Sequence, residues 1–222
     1  MIERAFPDTD AQTAALAALF ARAIGGAVAV RGAASLVLTG GTTPGPLYDR
    51  LSRLDLPWDR VQATLSDERW VPIDQDWSNE HLVRTRLLRG PAAALRLVGL
   101  KTDDPSPDEA VAAVEVRLAT LPQPFDLVLL GMGEDGHVAS LFPGEPPVAQ
   151  DRQVMAAVAP NGIPRLSLTL AVLADARRIA LLVRGPAKRA LLADVRAGAA
   201  PHLPVAALVA RARCPVEVFW AP

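Results

Sequence analysis

FDLVLLGMGEDGHVASLFPG, residues 125–144, carries a short apolar run straight into a glycine-rich turn and a histidine. Phe125 and residues 127–130 have the length and unbroken apolar character of a strand buried on both faces. Gly131, Gly133 and Gly136 let the backbone turn tightly and lie close to a ligand. His137 follows at once, two residues after Asp135. Open α/β sheets bind ligands at the carboxyl ends of their strands, so this order sets a titratable imidazole at a binding edge.

Upstream, residues 10–30 are alanine-rich, with Ala14, Leu16, Leu19, Phe20, Ala23 and Ile24 near helical spacing. They predict a long amphipathic helix ended by Gly32. Residues 35–39 form a short strand that empties into Gly40-Gly41-Thr42-Thr43-Pro44-Gly45. Thr43 is the expected N-cap and Pro44 the first residue of a helix carrying Leu47, Tyr48 and Leu51. Such a loop describes an anion cradle, because free N–H groups and the helix dipole favour a phosphate there. Val61–Leu65 is the next strand, followed by Ser66-Asp67-Glu68-Arg69-Trp70-Val71-Pro72 at the same edge. Taken alone, the charged triplet Asp67-Glu68-Arg69 reads equally well as a solvated loop. Residues 73–88 then enter a helix, with Asp76 or Ser78 as its cap and Glu80 in its first turn. His81 on that helix reads as a surface or capping-turn residue. Residues 94–98 suggest a strand, and Ser106 with Glu109 forms a capping box around Pro107. Val111, Val114, Leu118 and Leu121 then make one apolar stripe on a helix that returns the chain to Phe125.

Downstream, Pro143, Gly144, Pro146 and Pro147 prevent a long helix. Val154–Val158 and residues 166–170 read as strands, the second preceded by Arg165. Residues 179–183 are a strong strand, followed by Gly185-Pro186-Ala187-Lys188 and a helix through Val195. Residues 216–220 close the sheet, and His202 reads as a surface residue. Lys188 sits in a helix's first turn, an unfavourable place for a cation unless it faces a bound anion. Only Lys101 and Lys188 are lysines among 23 basic residues, so a lysine hints at a need for a compact ammonium. Strands alternating with helices define the fold class as α/β. The expectation is a single Rossmann-like three-layer domain over residues 1–222, its mostly parallel sheet covered by helices on both faces.

The 222 residues are 50% hydrophobic and 21% charged, a globular composition able to bury a full core. A net charge of −1 supplies no field for nucleic acid or an anionic membrane. No apolar run is expected to reach the roughly 18 residues of a membrane span, and MIERAFPDTD lacks a signal peptide's apolar centre. Cys214 is the sole cysteine and reads as a small buried residue. Three scattered histidines, with no HxH or CxxC spacing, give no indication of metal. These features predict a cytoplasmic protein with no nucleic-acid or membrane partner, monomeric or a small homo-oligomer.

Gly131, Gly133 and Gly136 match the GxGxxG dinucleotide fingerprint, which requires a helix opening at the third glycine. The prolines that follow leave no room for that helix. The fingerprint also requires a second strand ending in an acid about 20 residues on, and residues 142–151 are proline-rich and not strand-like. A different resemblance spans the chain. TGGTTPGPLY, SDERWVPIDQDWSNEHL, FDLVLLGMGEDGHVASLFPG, and RLSLTL followed by GPAK stand in this order. Together they resemble the 6-phosphogluconolactonase family, whose wider superfamily also holds glucosamine-6-phosphate deaminases. The resemblance implies hydrolysis of 6-phospho-D-glucono-1,5-lactone to 6-phospho-D-gluconate in the oxidative pentose phosphate pathway, without a cofactor. By the family pattern His137 is the general base and Asp135 its orienting partner, with phosphate contacts from Gly40, Gly41, Thr42, Thr43, Arg69, Arg165 and Lys188. Asp67 aligns with the deaminases' proton-transfer carboxylate; in a lactonase it would contact sugar hydroxyls or order the site.

The chemistry agrees with these residue types. A lactone is an ester, and an imidazole titrating near neutrality can activate water against it while a carboxylate fixes its tautomer. The oxyanion would be met by glycine-turn N–H groups or by an arginine. Two alternatives remain. The deaminase pattern carries a glutamate in an asparagine-glutamate-proline triplet after the histidine, where this chain has Leu141-Phe142-Pro143. A non-catalytic sugar-phosphate sensor would keep the phosphate contacts but would not need the Asp135–His137 pair.

Overall fold

The computed structural model describes residues 1–144 and 152–222. Pro146 and Pro147, read above as helix breakers, lie outside the described residues, as does most of the stretch weighed against the dinucleotide fingerprint. The chain opens with β1 (Ile2–Ala5), α1 (Thr9–Arg31), β2 (Ala34–Leu38) and α2 (Gly45–Leu51). Next come β3 (Val61–Leu65), β4 (Asp67–Arg69), α3 (Asn79–Arg86), β5 (Arg96–Val98) and α4 (Pro107–Leu118). The second half runs β6 (Leu127–Gly131), β7 (Val154–Val158), β8 (Pro164–Leu168), α5 (Leu170–Ala174) and β9 (Ile179–Arg184). It ends with α6 (Pro186–Arg196), α7 (Pro204–Arg211) and β10 (Val216–Ala221).

Seven strands form one sheet in the order β1-β10-β9-β6-β2-β3-β5, and every neighbouring pair is parallel. All five residues of β2 are buried, as are the first five of β9. Consecutive buried residues point to opposite faces of a strand, so both faces of the sheet are covered. The expected three-layer α/β architecture is therefore present. From β2 the chain builds outward through β3 and β5, and from β6 it builds the other way through β9 and β10. The order reverses between β2 and β6, and such a switch point leaves a crevice beyond the carboxyl ends of the two strands.

A second sheet is a departure from expectation. β4, β8 and β7 form a separate antiparallel sheet in that order, not additional strands of the main one. The charged triplet Asp67-Glu68-Arg69 is therefore strand rather than solvated loop, and Glu68 is fully buried. Arg165 lies within β8 instead of preceding it, and Thr169 ends the strand by capping α5.

The helices begin and end where local chemistry dictates. Asp8 caps α1, its carboxylate accepting from the Ala11 amide at 2.8 Å, and Gly32 closes it with φ +77°. Leu16, Phe20 and Ile24, four residues apart, are completely buried on its inner face. Burying each stabilises the fold by about 1.5–3 kcal/mol. By length and composition α1 is apolar enough to cross a membrane, contrary to the expectation that no segment would be. Its alanines supply the hydropathy, while its inner face packs into the core in the manner of a core helix. Ser78 caps α3, accepting from the His81 amide at 3.1 Å, and Ser106 accepts from the Glu109 amide at 3.3 Å to start α4. Thr43 does not cap α2: the helix starts one residue later than expected, with Pro44 at the cap position and no side-chain cap.

Candidate active site

At the carboxyl edge of β9, β6, β2 and β3 a cleft of about 470 Å³ opens. Its lining includes Gly40, Gly41, Thr42, Thr43, Asp67, Arg69, His137, Arg165 and Lys188. Residues from five separate segments of the chain thus meet at one place. Of the expected site residues only Asp135 is outside the lining, and it stands directly behind His137.

His137 is held by its own turn. Asp135 Oδ1 lies 2.6 Å from His137 Nδ1 and also accepts from the His137 backbone amide at 3.2 Å. An ionised carboxylate can only accept, so in the neutral imidazole Nδ1 carries the proton and Nε2 keeps its lone pair. The Gly133 amide donates to His137 O at 3.0 Å and closes the loop. Gly133 must be glycine for reasons of space: a Cβ there would lie 2.2 Å from His137 Nδ1 and Cε1. Phe142 packs against the imidazole, ring centroids 5.0 Å apart and tilted by 55°. Phe142, the residue expected in place of the deaminase glutamate, thus sets an aromatic ring beside the histidine. No helix follows the turn before β7 among the described residues, as the dinucleotide fingerprint would require.

The N–H groups of the turn's three glycines are already engaged. Gly131 N donates to Thr39 Oγ1 at 3.3 Å, and Gly136 N donates to Gly133 O at 3.2 Å. With Gly133 bonded to His137, all three glycine amides have partners inside the protein.

Asp67 is buried and each of its carboxylate oxygens is hydrogen-bonded. Oδ1 accepts from Ser66 Oγ at 2.9 Å, and Oδ2 accepts from Ser140 Oγ at 2.7 Å. Asn79 Nδ2 donates to Asp67 O at 2.8 Å, and Arg165 Nη1 lies 3.7 Å from Oδ2. Because Ser140 stands three residues beyond His137, Asp67 ties the small sheet to the histidine segment. Ala139, between them, adopts φ +51°, a left-handed conformation that costs a non-glycine residue on the order of 1–2 kcal/mol.

Arg69 and Arg165 face each other directly across the β4–β8 pair. Like charges so placed repel. Burial and the neighbouring Arg69 charge hold the Arg165 guanidinium below its usual range, only partly offset by Asp67 and Glu68. Both Nε atoms are buried without a hydrogen-bond partner among the described residues. Lys188 completes the cationic wall from the first turn of α6, a helix with Gly185 at its cap position and no side-chain cap.

Several residues of the site escaped sequence reasoning. Glu68 anchors the start of α3: Oε1 accepts from the amides of Asn79 and Arg69 at 2.7 and 2.8 Å, and Oε2 from the Glu80 amide and Ser78 Oγ at 2.8 and 3.0 Å. Burial pushes its pKa up, and these four donors oppose the shift. Asn79 lines the cleft over Gly40, where a Cβ would lie 1.7 Å from Asn79 Oδ1. Its only sequence signal was its place beside the α3 cap. Arg184 and Asn161 also line the cleft. Among the described residues no three His, Cys, Asp or Glu side chains gather as a metal site.

The fold and the cleft define an open-sheet α/β protein that presents a carboxylate-held imidazole beside a cationic wall. The chain belongs to the glucosamine-6-phosphate isomerase/6-phosphogluconolactonase family, whose model matches residues 7–220. It is 47% identical to a 6-phosphogluconolactonase of Caulobacter vibrioides, over 93% of this chain and 91% of that one. A 6-phosphogluconolactonase of Mesorhizobium japonicum is 42% identical, over 98% of this chain and 94% of that one. The crystal structure of a 6-phosphogluconolactonase from Shewanella baltica superimposes with a TM-score of 0.95 at 33% identity, covering 100% and 98% of the two chains.

Proposed function

We propose that this chain hydrolyses 6-phospho-D-glucono-1,5-lactone to 6-phospho-D-gluconate in the cytoplasm, as a step of the oxidative pentose phosphate pathway. The observation that carries the reading is the Asp135–His137 pair, held at 2.6 Å at the rim of a cleft walled by Arg69, Arg165 and Lys188. The phosphate lies against these cations and the Gly40-Gly41-Thr42-Thr43 loop. This anchors the sugar and presents the ring carbonyl. His137 Nε2 takes a proton from water as the water attacks that carbonyl, and Asp135 stabilises the imidazolium that forms. The tetrahedral oxyanion then needs donors. The glycine amides at positions 131, 133 and 136 are engaged within the protein, so the reading assigns this role to Arg69 or Arg165. Collapse of the oxyanion breaks the ring C–O bond, and the proton on His137 passes to the departing hydroxyl. Asp67, both oxygens bonded to serines, is a positioning residue that fixes the histidine segment.

Phe142 at the glutamate position disfavours aminosugar isomerisation, because the carboxylate that would support the histidine is replaced by a ring. The test supplies freshly made 6-phosphogluconolactone and, separately, glucosamine 6-phosphate. Acid release from the first above the spontaneous background, with no ammonia from the second, is expected. Ammonia release, or no acceleration of lactone opening, would overturn the assignment.

A further inference from the structure

The cleft holds a fourth cation whose setting is built from buried parts. Arg184 is the last residue of β9, two positions after Leu182, and both line the cleft. Residues two apart on a strand share a face, so Arg184 projects to the side from which Leu182 reaches the cleft. Lys188, four residues on, borders the same space.

Gln12 of α1 fixes the arginine from behind. It is completely buried, and its Nε2 donates to Val183 O at 2.9 Å and Phe219 O at 2.8 Å, near the ends of β9 and β10. Both partners are carbonyls, which only accept, so the amide has one orientation and its Oε1 faces Arg184. Arg184 Nε donates to that oxygen at 3.1 Å. The bond engages Nε and leaves the two terminal amino groups of the fork to present elsewhere. Burial pushes the Arg184 pKa down, and no carboxylate offsets the shift. A partly desolvated guanidinium held by a neutral amide is costly unless an anion completes it.

We propose that Arg184, set in place by buried Gln12, binds the substrate's phosphate as a two-pronged fork beside Lys188. This rests on the sugar-phosphate reading of the cleft given above. Guanidinium geometry matches two phosphate oxygens, whereas an ammonium contributes a single point of charge. Arg184 is a substrate-binding residue and Gln12 a positioning residue.

Calorimetry with 6-phosphogluconate and with unphosphorylated gluconate, together with steady-state kinetics on the lactone, tests the assignment in the full-length chain. Arg184→Gln is expected to weaken 6-phosphogluconate binding and raise KM by roughly 10- to 100-fold, with kcat within about threefold of wild type. Gluconate binding stays within about twofold. Arg184→Lys recovers part of the loss, and Gln12→Leu shifts KM in the same direction by a smaller factor. Equal losses for both ligands, or an unchanged affinity for 6-phosphogluconate, would overturn the proposal. Should Gln12→Leu fail to fold, Arg184→Gln decides alone, since its partly exposed side chain leaves the core intact. A wild-type chain that binds 6-phosphogluconate through Arg184 but opens no lactone would remove the reaction and keep this site. Lactone hydrolysis insensitive to Arg184 would do the reverse.

Discussion

Replacing Asp135 by asparagine probes how far the carboxylate's charge, as distinct from its shape, serves His137. Asp135 Oδ1 receives two donors, the His137 backbone N–H at 3.2 Å and the ring Nδ1 at 2.6 Å. In Asp135→Asn the amide oxygen must stay where the carboxylate oxygen was, because turning the NH2 inward would set it against a backbone N–H. The tautomer therefore survives and only the charge is lost. A hydrogen bond to a charged group contributes about 1.5–3 kcal/mol and a neutral one about 0.5–1.5 kcal/mol, a difference of about 1–1.5 kcal/mol. The side chains of His137 and Asp135 are 33% and 42% exposed, so solvent screening favours the lower end. About 1 kcal/mol of lost imidazolium stabilisation lowers kcat roughly fivefold. Asp135→Ala removes orientation as well and is expected to cost about 10- to 100-fold. Initial rates of acid release from fresh lactone, corrected for spontaneous opening, give both numbers. An Asp135→Asn enzyme with wild-type kcat, or one as inactive as a variant lacking the histidine, would refute the reasoning.

Lys188→Ala should raise KM with little change in kcat, and Arg165→Ala should raise KM as well, because each removes a charge-assisted bond to phosphate; unchanged KM in both would contradict the phosphate site. Gly133→Ala should fold yet lose about 10- to 100-fold in kcat, since a Cβ lying 2.2 Å from His137 Nδ1 displaces the imidazole, and steady-state rates with a melting curve separate the two effects. The Arg86 guanidinium holds the Asp49 carboxyl below its usual range, aided by Arg89. A depressed carboxylate adds stability above its unfolded value of 3.8, and that stability disappears as pH falls through the lower folded value. Asp49→Asn should therefore reduce stability near neutrality and flatten the acid side of the unfolding curve measured from pH 7 to pH 2.

The sequence was most informative where one force acts alone. β3 and β7 fall where the apolar runs put them, at Val61–Leu65 and Val154–Val158, because burial decides such strands. It was silent on β1, whose Ile2–Ala5 carries two adjacent charges, Glu3 and Arg4, and is strand only through pairing with β10. α7 went unread as well, though Leu203-Pro204 ahead of Val205 and Leu208 is a helix start with proline at its first position. Glu68 shows the limit most clearly. A charged residue after a strand suggests solvent, and its burial depends on the Arg69 amide and on three donors gathered from the start of α3, which spacing does not reveal. The candidate site was legible in His137 and the Gly40–Gly41 loop, which follow strands, and in Arg69, Arg165 and Lys188, which the family resemblance singled out. Arg184 was missed because an arginine ending a strand resembles any other surface arginine. Its distinction lies in Gln12, 172 positions away.

Turnover of the His137→Ala enzyme bears most directly on the account. General-base catalysis contributes roughly 10²- to 10⁴-fold, so kcat should fall by about that factor while 6-phosphogluconate binds as tightly as to wild type. A variant that keeps kcat within tenfold, its lactone hydrolysis still well above the spontaneous rate, would place the activation of water elsewhere.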